Sequence, residues 1–260
     1  MISVGDRELL SRAEDLATRA ERGELTCTHF LTPRERLVVL RMIGKRYPVL
    51  VTGGYPEAER QRIYFLPPYL DGLEQSDLHE AIGDELARTL CAVRIRGSGY
   101  ATLTHRAFLG AILHLGIERD RIGDLCTGDG REAILFTDTL MADFLAENLT
   151  RVSSDAVSVE RVELAKDFDG GKRYLPVSDT VASPRADAVV AALTNLSRER
   201  AQALFRQGMV EIDYEPEEKC DRTVEPGAVI VIRGVGKFTV RALSDKTRKG
   251  RFRLQADKHI

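Results

Sequence analysis

Features that would indicate membrane insertion, secretion or a metal centre are missing from the sequence. No apolar run approaches the roughly 18 residues of a membrane-spanning helix, and the N-terminal segment MISVGDRELLSRAEDLATRAERGE is too charged for a secretory signal. The four cysteines lie far apart without a CxxC pair, at Cys27, Cys91, Cys126 and Cys220. We therefore expect reduced thiols in a cytoplasmic protein, no membrane contact and no metal site, because zinc usually binds closely spaced ligand pairs.

The signatures of common enzyme classes are missing as well. The five histidines show no HExxH pattern, and the chain has neither a Walker pattern nor GxSxG. The stretch RGSGY, residues 96–100, lacks the third glycine and the strand-to-helix context of a dinucleotide-binding loop. Candidate acid/base pairs such as Asp84-Glu85 fit helix starts and surface positions better. The sequence therefore predicts a non-enzyme with no catalytic residue and no cofactor.

Charge is unevenly distributed along the 260 residues, although the net charge is only -2. From Val181 to Ile260 there are 15 Lys and Arg against 11 Asp and Glu, whereas the first 180 residues hold 23 against 29. Between Lys237 and Lys258 the counts are eight and two. A basic C-terminal end on an acidic body indicates a polyanionic partner at that end, with a solvated basic tail as the alternative.

The periodicity predicts an α+β protein of three domains. Residues 1–75 form a small α/β domain with helices over 6–22 and from Pro33 to Ile43, the second capped by Thr32. Residues 76–170 show the order βαββαβ, typical of ferredoxin-like (RRM-like) domains, with Asp129-Gly130 as a hairpin turn. Because aromatic stacking residues are missing from its central strands, structural packing is the favoured role of this sheet.

A segment rich in Gly, Pro, Ser and Asp, DGGKRYLPVSDTVAS, predicts a linker before a C-terminal domain at residues 181–260. Ser183-Pro184 and Ser197 predict the starts of two short helices, the second ending at Gly208. Strands at MVEID and EPGAVIVIRG and a final hairpin at KFTVRALSDKTRKGRFRLQ complete the domain.

The motifs of this last domain carry a specific resemblance. S-x-R-x-D, S-R-x-x-A, G-x-V-x-I-D and P-G-x-x-I follow one another as in the S-four RNA-binding domain (αL motif). The whole chain resembles the YlmH family of bacterial S-four proteins, with GGYPEAER, HRAFLGAILHLGI, ERDRIGDL and RGVGKF in matching places. The chain departs from that pattern at Ala186, usually leucine, and at Ala228, commonly aspartate.

The second helix of this domain has polar and basic side chains at regular spacing. Arg198, Gln202 and Arg206 recur at i, i+4 and i+8, which predicts one exposed face, with Leu204 and Phe205 on the buried side. The free amides near Ser197 favour phosphate. With Arg185 added by resemblance, the candidate RNA contacts are Arg185, Ser197, Arg198, Arg200, Gln202, Arg206, Arg233, Lys237 and Arg251. Weaker candidates are the tail cations Lys246, Arg248, Lys249 and Arg253, and elsewhere Gly53, Gly54, Arg60, His105 and Arg106.

The resemblance implies a protein that binds rRNA or tRNA on the large ribosomal subunit, and we expect the protein to be monomeric. It further implies a role in the rescue of stalled ribosomes, in which family members act on subunits that still carry peptidyl-tRNA during alanine tailing. Two other classes stay open at this point. S-four domains accompany RNA-modifying enzymes, whose catalytic motifs are not found here, and the acidic N-terminal body suits a protein-interaction scaffold. A link to cell division is also attached to the family.

Overall fold

The computed structural model describes residues 4–165, 167–246 and 250–260. The chain divides into two compact units, the first ending at Gly171 and the second beginning at Lys172. None of the helices within these described ranges is long and apolar enough to cross a membrane.

The first unit begins with two helices against a three-stranded antiparallel sheet of order β1-β3-β2. Its elements are α1 (Val4–Glu21), β1 (Thr26–Cys27), α2 (Pro33–Met42), β2 (Val49–Thr52) and β3 (Arg62–Phe65). The predicted helix start at Thr32 is confirmed, since Thr32 and Glu35 form a reciprocal capping box. Small residues of α1, such as Ala13 and Ala17, let it lie close against Ile63 and Phe65 of the sheet.

The rest of the first unit is the predicted βαββαβ arrangement. Its elements are α3 (Gln75–Ala81), α4 (Gly83–Thr89), β4 (Cys91–Gly97), α5 (His105–His114), β5 (Ile122–Thr127), β6 (Glu132–Thr137), α6 (Thr139–Asn148), β7 (Arg151–Val152) and β8 (Asp155–Val162). The antiparallel strand order β5-β6-β4-β8 is the ferredoxin-like one, with the short β7 added at the edge. Thr104 and Asp138 cap α5 and α6. Both helices bury apolar residues, Phe108 and Ile112 among them, against one face of this sheet.

The second unit packs two helices against a six-stranded antiparallel sheet of order β11-β10-β12-β13-β14-β9. Its elements are β9 (Tyr174–Val181), α7 (Ala186–Thr194), α8 (Arg198–Arg206), β10 (Val210–Ile212), β11 (Glu215–Pro216), β12 (Val229–Ile232), β13 (Gly236–Lys246) and β14 (Phe252–His259). Val189, Val190 and Phe205 fill the space between helices and sheet. The departures Ala186 and Ala228 both lie in this core.

Two details of the second unit differ from the prediction. The linker assignment was wrong over Tyr174–Val181, because these residues pair along their whole length with β14. The polar composition and Pro176 are compatible with a strand at the edge of a sheet, where one side needs no ladder partner. Helix α7 begins after Arg185 rather than at Pro184, since the chain is still extended there and Val224 N–H donates to the Pro184 carbonyl at 2.8 Å.

Candidate nucleic-acid interface

The second unit holds a cluster of arginines around a buried carboxylate. The side chain of Asp187, in the first turn of α7, is 0% exposed. Arg198 donates to it from Nε at 3.0 Å and Nη2 at 3.1 Å, and Arg185 donates from the same two nitrogens at 3.3 Å each. Gln202 Nε2 adds a fifth hydrogen bond at 2.8 Å. We call Arg185, Asp187, Arg198 and Gln202 the Asp187 cluster.

The cluster carries a fixed surplus of positive charge. Burial by itself would raise the pKa of Asp187, but the hydrogen bonds from Arg185, Arg198 and Gln202 reverse that effect and lower the pKa to about 2. Asp187 is therefore ionised at neutral pH and balances one of the two guanidinium groups. The Arg185 and Arg198 side chains remain 39% and 51% exposed, so each guanidinium can still meet a ligand.

Two helix starts meet in this cluster. Arg185 is the N-cap residue of α7, and Arg198 is the first residue of α8. The predicted cap Ser197 is confirmed, since its hydroxyl accepts from Arg200 N–H at 3.3 Å. Helix starts carry partial positive charge and attract anions. Two cations held rigidly beside two helix starts form a surface that suits the phosphates of a nucleic acid.

The predicted exposed face of α8, formed by Arg198, Gln202 and Arg206, is found only in part. Arg198 and Gln202 turn toward Asp187, whereas Arg206, at the other end of the helix, is exposed. Arg200 is also exposed. The apolar side is as predicted for Phe205, which is 1% exposed, and Leu204 packs against the same core.

The other predicted contacts of the second unit lie outside this cluster. Arg233 pairs with Glu211 at 3.3 Å and is 63% exposed, and the Lys237 ammonium lies 5.2 Å from the ring centre of Tyr214. Arg251 donates from Nε to the Thr180 hydroxyl at 3.0 Å. Arg253 is exposed on β14, and Lys246 ends β13. Arg248 and Lys249 lie outside the described residues.

In the first unit, the two motifs GGYPEAER (residues 53–60) and ERDRIGDL (residues 118–125) bind each other. Asp124 accepts from the Tyr55 hydroxyl at 2.7 Å and from the backbone amides of Glu59 at 2.7 Å and Arg60 at 3.0 Å. The Arg60 guanidinium donates to the carbonyls of Phe30, Arg119 and Ile122 at 2.8–3.2 Å. Burial lowers the pKa of Arg60.

The two glycines of GGYPEAER are required by the close packing around this motif. A Cβ on Gly53 would lie 2.4 Å from the Arg60 carbonyl oxygen, and one on Gly54 would lie 2.4 Å from the ring of Phe136. Gly54 also has a φ of +98°. His105 and Arg106 are exposed in the first turn of α5, on the helical side of the middle sheet.

One half of the opposite face of the middle sheet is covered by residues of the same unit. Tyr55 stacks on Phe136 with ring centres 5.0 Å apart and 28° between the planes, and Phe168 contacts both rings at 5.4 and 6.0 Å. Phe136 is only 1% exposed. The favoured reading of this sheet as a packing surface therefore agrees with the contacts over this half of the face.

Comparison with known proteins shows where this architecture belongs. A family model described as "YlmH, N-terminal" matches residues 5–70, and one described as "Putative RNA-binding domain in YlmH" matches residues 87–166. The chain is thus of the class of α+β proteins that join a domain of the first description to a domain of the second.

Two known proteins align over most of the molecule. The "Ribosome-associated protein quality control protein P2" of Bacillus subtilis is 31% identical over 238 residues, which are 90% of this chain and 87% of that protein. The structure titled "Cell division protein ylmH from Streptococcus pneumoniae" is similar with a TM-score of 0.51 at 19% identity, over 65% of this chain and 98% of that one. The chain belongs to the YlmH family.

Sequence reasoning overlooked the two aspartates that organise these regions. Asp187 is part of the S-x-R-x-D motif, but the motif by itself points to Arg185 as the contact residue. An acidic residue within the apolar stretch RADAVVAAL is a usable signal, because a buried carboxylate needs cationic or hydrogen-bonding partners. Asp124 offers no such signal, since its partners are mainly backbone amides far away in the sequence.

Proposed function

We propose that this chain is a non-enzymatic RNA-binding protein of the cytoplasm that binds rRNA or tRNA on the large ribosomal subunit and acts in the rescue of stalled ribosomes. The Asp187 cluster is the observation that supports RNA binding most directly. Its two half-exposed guanidinium groups and two helix starts suit phosphate, and its S-x-R-x-D and S-R-x-x-A motifs resemble those of S-four domains. The name of the Bacillus subtilis relative supports the ribosomal setting.

The physical case for this cluster rests on preorganisation. A free arginine loses side-chain entropy when it binds a phosphate, whereas Arg185 and Arg198 are already held by Asp187. Asp187 is not exposed itself, so a ligand meets guanidinium edges rather than the carboxylate. Arg200 and Arg206 extend the positive surface along α8. Such contacts position RNA without reading its bases.

Sedimentation of the tagged full-length chain through a sucrose gradient tests the proposal. We expect it to travel with large subunits, and more of it to do so when translation is stalled. Since the contacts are ionic, washing with high salt should release it. A chain that stays at the top of the gradient at low salt contradicts ribosome binding. A chain that travels only with small subunits contradicts the proposed role.

A ribonuclease step separates this function from that of a protein scaffold. Partners captured with the tagged chain should be lost after ribonuclease treatment if RNA holds the assembly together. Partners that remain in full would favour direct protein contacts through the acidic first unit.

A further inference from the structure

On the middle sheet, the half of the face that Tyr55 and Phe168 leave uncovered contains a cleft. It lies in the first unit and is separate from the Asp187 cluster of the second unit. Its volume is about 630 Å³, within the range of small-molecule sites. The RGSG stretch (residues 96–99) forms one wall, and the hairpin segment 127–132 forms the other. Ile134, Cys126 and Phe168 line it with apolar surface. We call it the hairpin cleft.

The walls of the hairpin cleft are held in place by hydrogen bonds. Gly97 N–H donates to the Arg131 carbonyl at 2.8 Å, and Leu103 N–H donates to the Gly130 carbonyl at 2.7 Å, so the two loops are tied together. The Ser98 hydroxyl donates to Asp155, which is 3% exposed. A cleft that is formed before binding does not lose ordering entropy on taking up a ligand.

The charges along the cleft compensate each other. Arg96 contacts Glu132 at 3.2 Å, and Arg131 lies 3.9 Å from Asp129. The lining therefore has both signs of charge in equal number, which does not favour a phosphate or an acidic peptide. The hairpin cleft thus has an apolar floor and polar walls with both donors and acceptors. Such a site suits a flat, uncharged group with polar edges, and a nucleobase is such a group.

We propose that the hairpin cleft receives an unpaired nucleobase of the RNA, lying on Ile134 and Phe168 with its polar edge toward the two loops. This inference rests on the proposed RNA-binding function and names a second contact for it. The base must be unpaired, because a base within a duplex has both faces stacked on its neighbours and cannot lie on Ile134 and Phe168. Tyr100, which follows the RGSG wall and is 93% exposed, can contact an adjacent nucleotide.

Gly128 offers a way to fill the cleft. It lines the cleft, a Cβ at this position meets no atom within 4 Å, and its φ is not in the left-handed region. Gly128→Phe should therefore block the cleft while the fold persists. Gly110→Phe is the matched control, because Gly110 is exposed on α5, behind the other face of the sheet, and has equally open space.

The assay measures binding of full-length variants to a fluorescein-labelled single-stranded RNA of mixed sequence, about 12 nucleotides long. Loss of one stacked base should weaken binding by about tenfold for Gly128→Phe. The factor should be the same at low and high salt, because the lost contact is not ionic. Gly110→Phe should bind like the parent, and both variants should melt near it.

The outcomes distinguish this inference from the proposed function. A parent chain that binds no RNA contradicts both. If the parent binds RNA and Gly128→Phe binds equally well, the cleft is not a base site and the proposed function stands. If Gly128→Phe loses ribosomes but binds the isolated RNA like the parent, the cleft does not hold an unpaired base of that RNA and the inference is overturned. Should Gly128→Phe unfold, crosslinking the parent to 4-thiouridine RNA decides, since crosslinks confined to residues 172–260 overturn the proposal.

Discussion

Two aspartates, one in each unit, accept hydrogen bonds from different kinds of donor. Asp124 collects two backbone amides and a tyrosine hydroxyl, and the adjacent Arg60 turns its guanidinium to main-chain carbonyls. Asp187 collects arginine side chains, which remain 39% and 51% exposed. In the first arrangement, main-chain carbonyls bind the guanidinium of Arg60 within the fold. In the second, the guanidinium groups of Arg185 and Arg198 remain accessible at the surface.

This difference means that the number of arginines in a motif does not indicate how many guanidinium groups remain accessible at the surface. Arg119 illustrates the point in the first unit, since it donates to the carbonyls of Ile122 at 2.8 Å and Gly123 at 3.0 Å. Burial and the charge of Arg60 lower its pKa to about 10. The motifs GGYPEAER and ERDRIGDL thus hold the first unit together, while S-x-R-x-D and S-R-x-x-A build the Asp187 cluster.

The largest expected effect is on folding in the first unit. Asp124→Ala leaves two backbone amides and the Tyr55 hydroxyl without their acceptor, so we expect the free energy of unfolding to fall by about 2–4 kcal/mol. RNA affinity of the folded protein should stay near that of the parent. Urea unfolding measures the first quantity and fluorescence anisotropy the second.

Asp143→Ala is the control for that variant, because Asp143 forms a surface ion pair with Arg161. Its free energy of unfolding should change by less than about 1 kcal/mol. Equal melting of the two variants would contradict the structural role of Asp124. A loss of RNA affinity in folded Asp124→Ala would show that the region around Asp124 also contributes to RNA binding.

A smaller effect on stability is expected to distinguish Arg198 from Arg206 on helix α8. Arg198→Ala removes a partner of the buried Asp187 and should cost about 1–3 kcal/mol of stability, whereas exposed Arg206→Ala should stay within about 0.5 kcal/mol. Both should weaken RNA binding and reduce its salt dependence by about one ion each. Melting curves and binding isotherms at several salt concentrations measure these effects. Two variants of equal stability would contradict the Asp187 cluster.

The smallest expected effect is a pH dependence. The pKa of Asp187 in the folded chain, about 2, is below the ordinary 3.8, so ionisation favours folding. This stability is fully present above about pH 4 and is lost as the pH falls toward the folded pKa. In urea unfolding, the advantage of the parent over Asp187→Asn should therefore shrink between about pH 4 and pH 2. A difference that stays constant over this range would contradict the shifted pKa.

Local patterns were sufficient to predict most elements of the fold. The apolar spacing of α1, the Thr32-Pro33 start of α2 and the Asp129-Gly130 turn are all found where the sequence indicates them. These features depend on residues within about one or two turns of each other. The sequence did not predict strand β9, because these residues are held extended by pairing with β14, which lies more than 70 residues away along the chain.

The sequence by itself determined the α+β class, the order of the helices and strands, and the cations that the second unit has available. Only the tertiary structure decided which cations are exposed at the surface and which are bound by other groups within the fold. Whether Arg60 or Arg198 faces a ligand depends on the carbonyls or the carboxylate that folding brings within about 3 Å, and these come from distant segments. A guanidinium looks the same in every motif, but its partners are set by the packing around it.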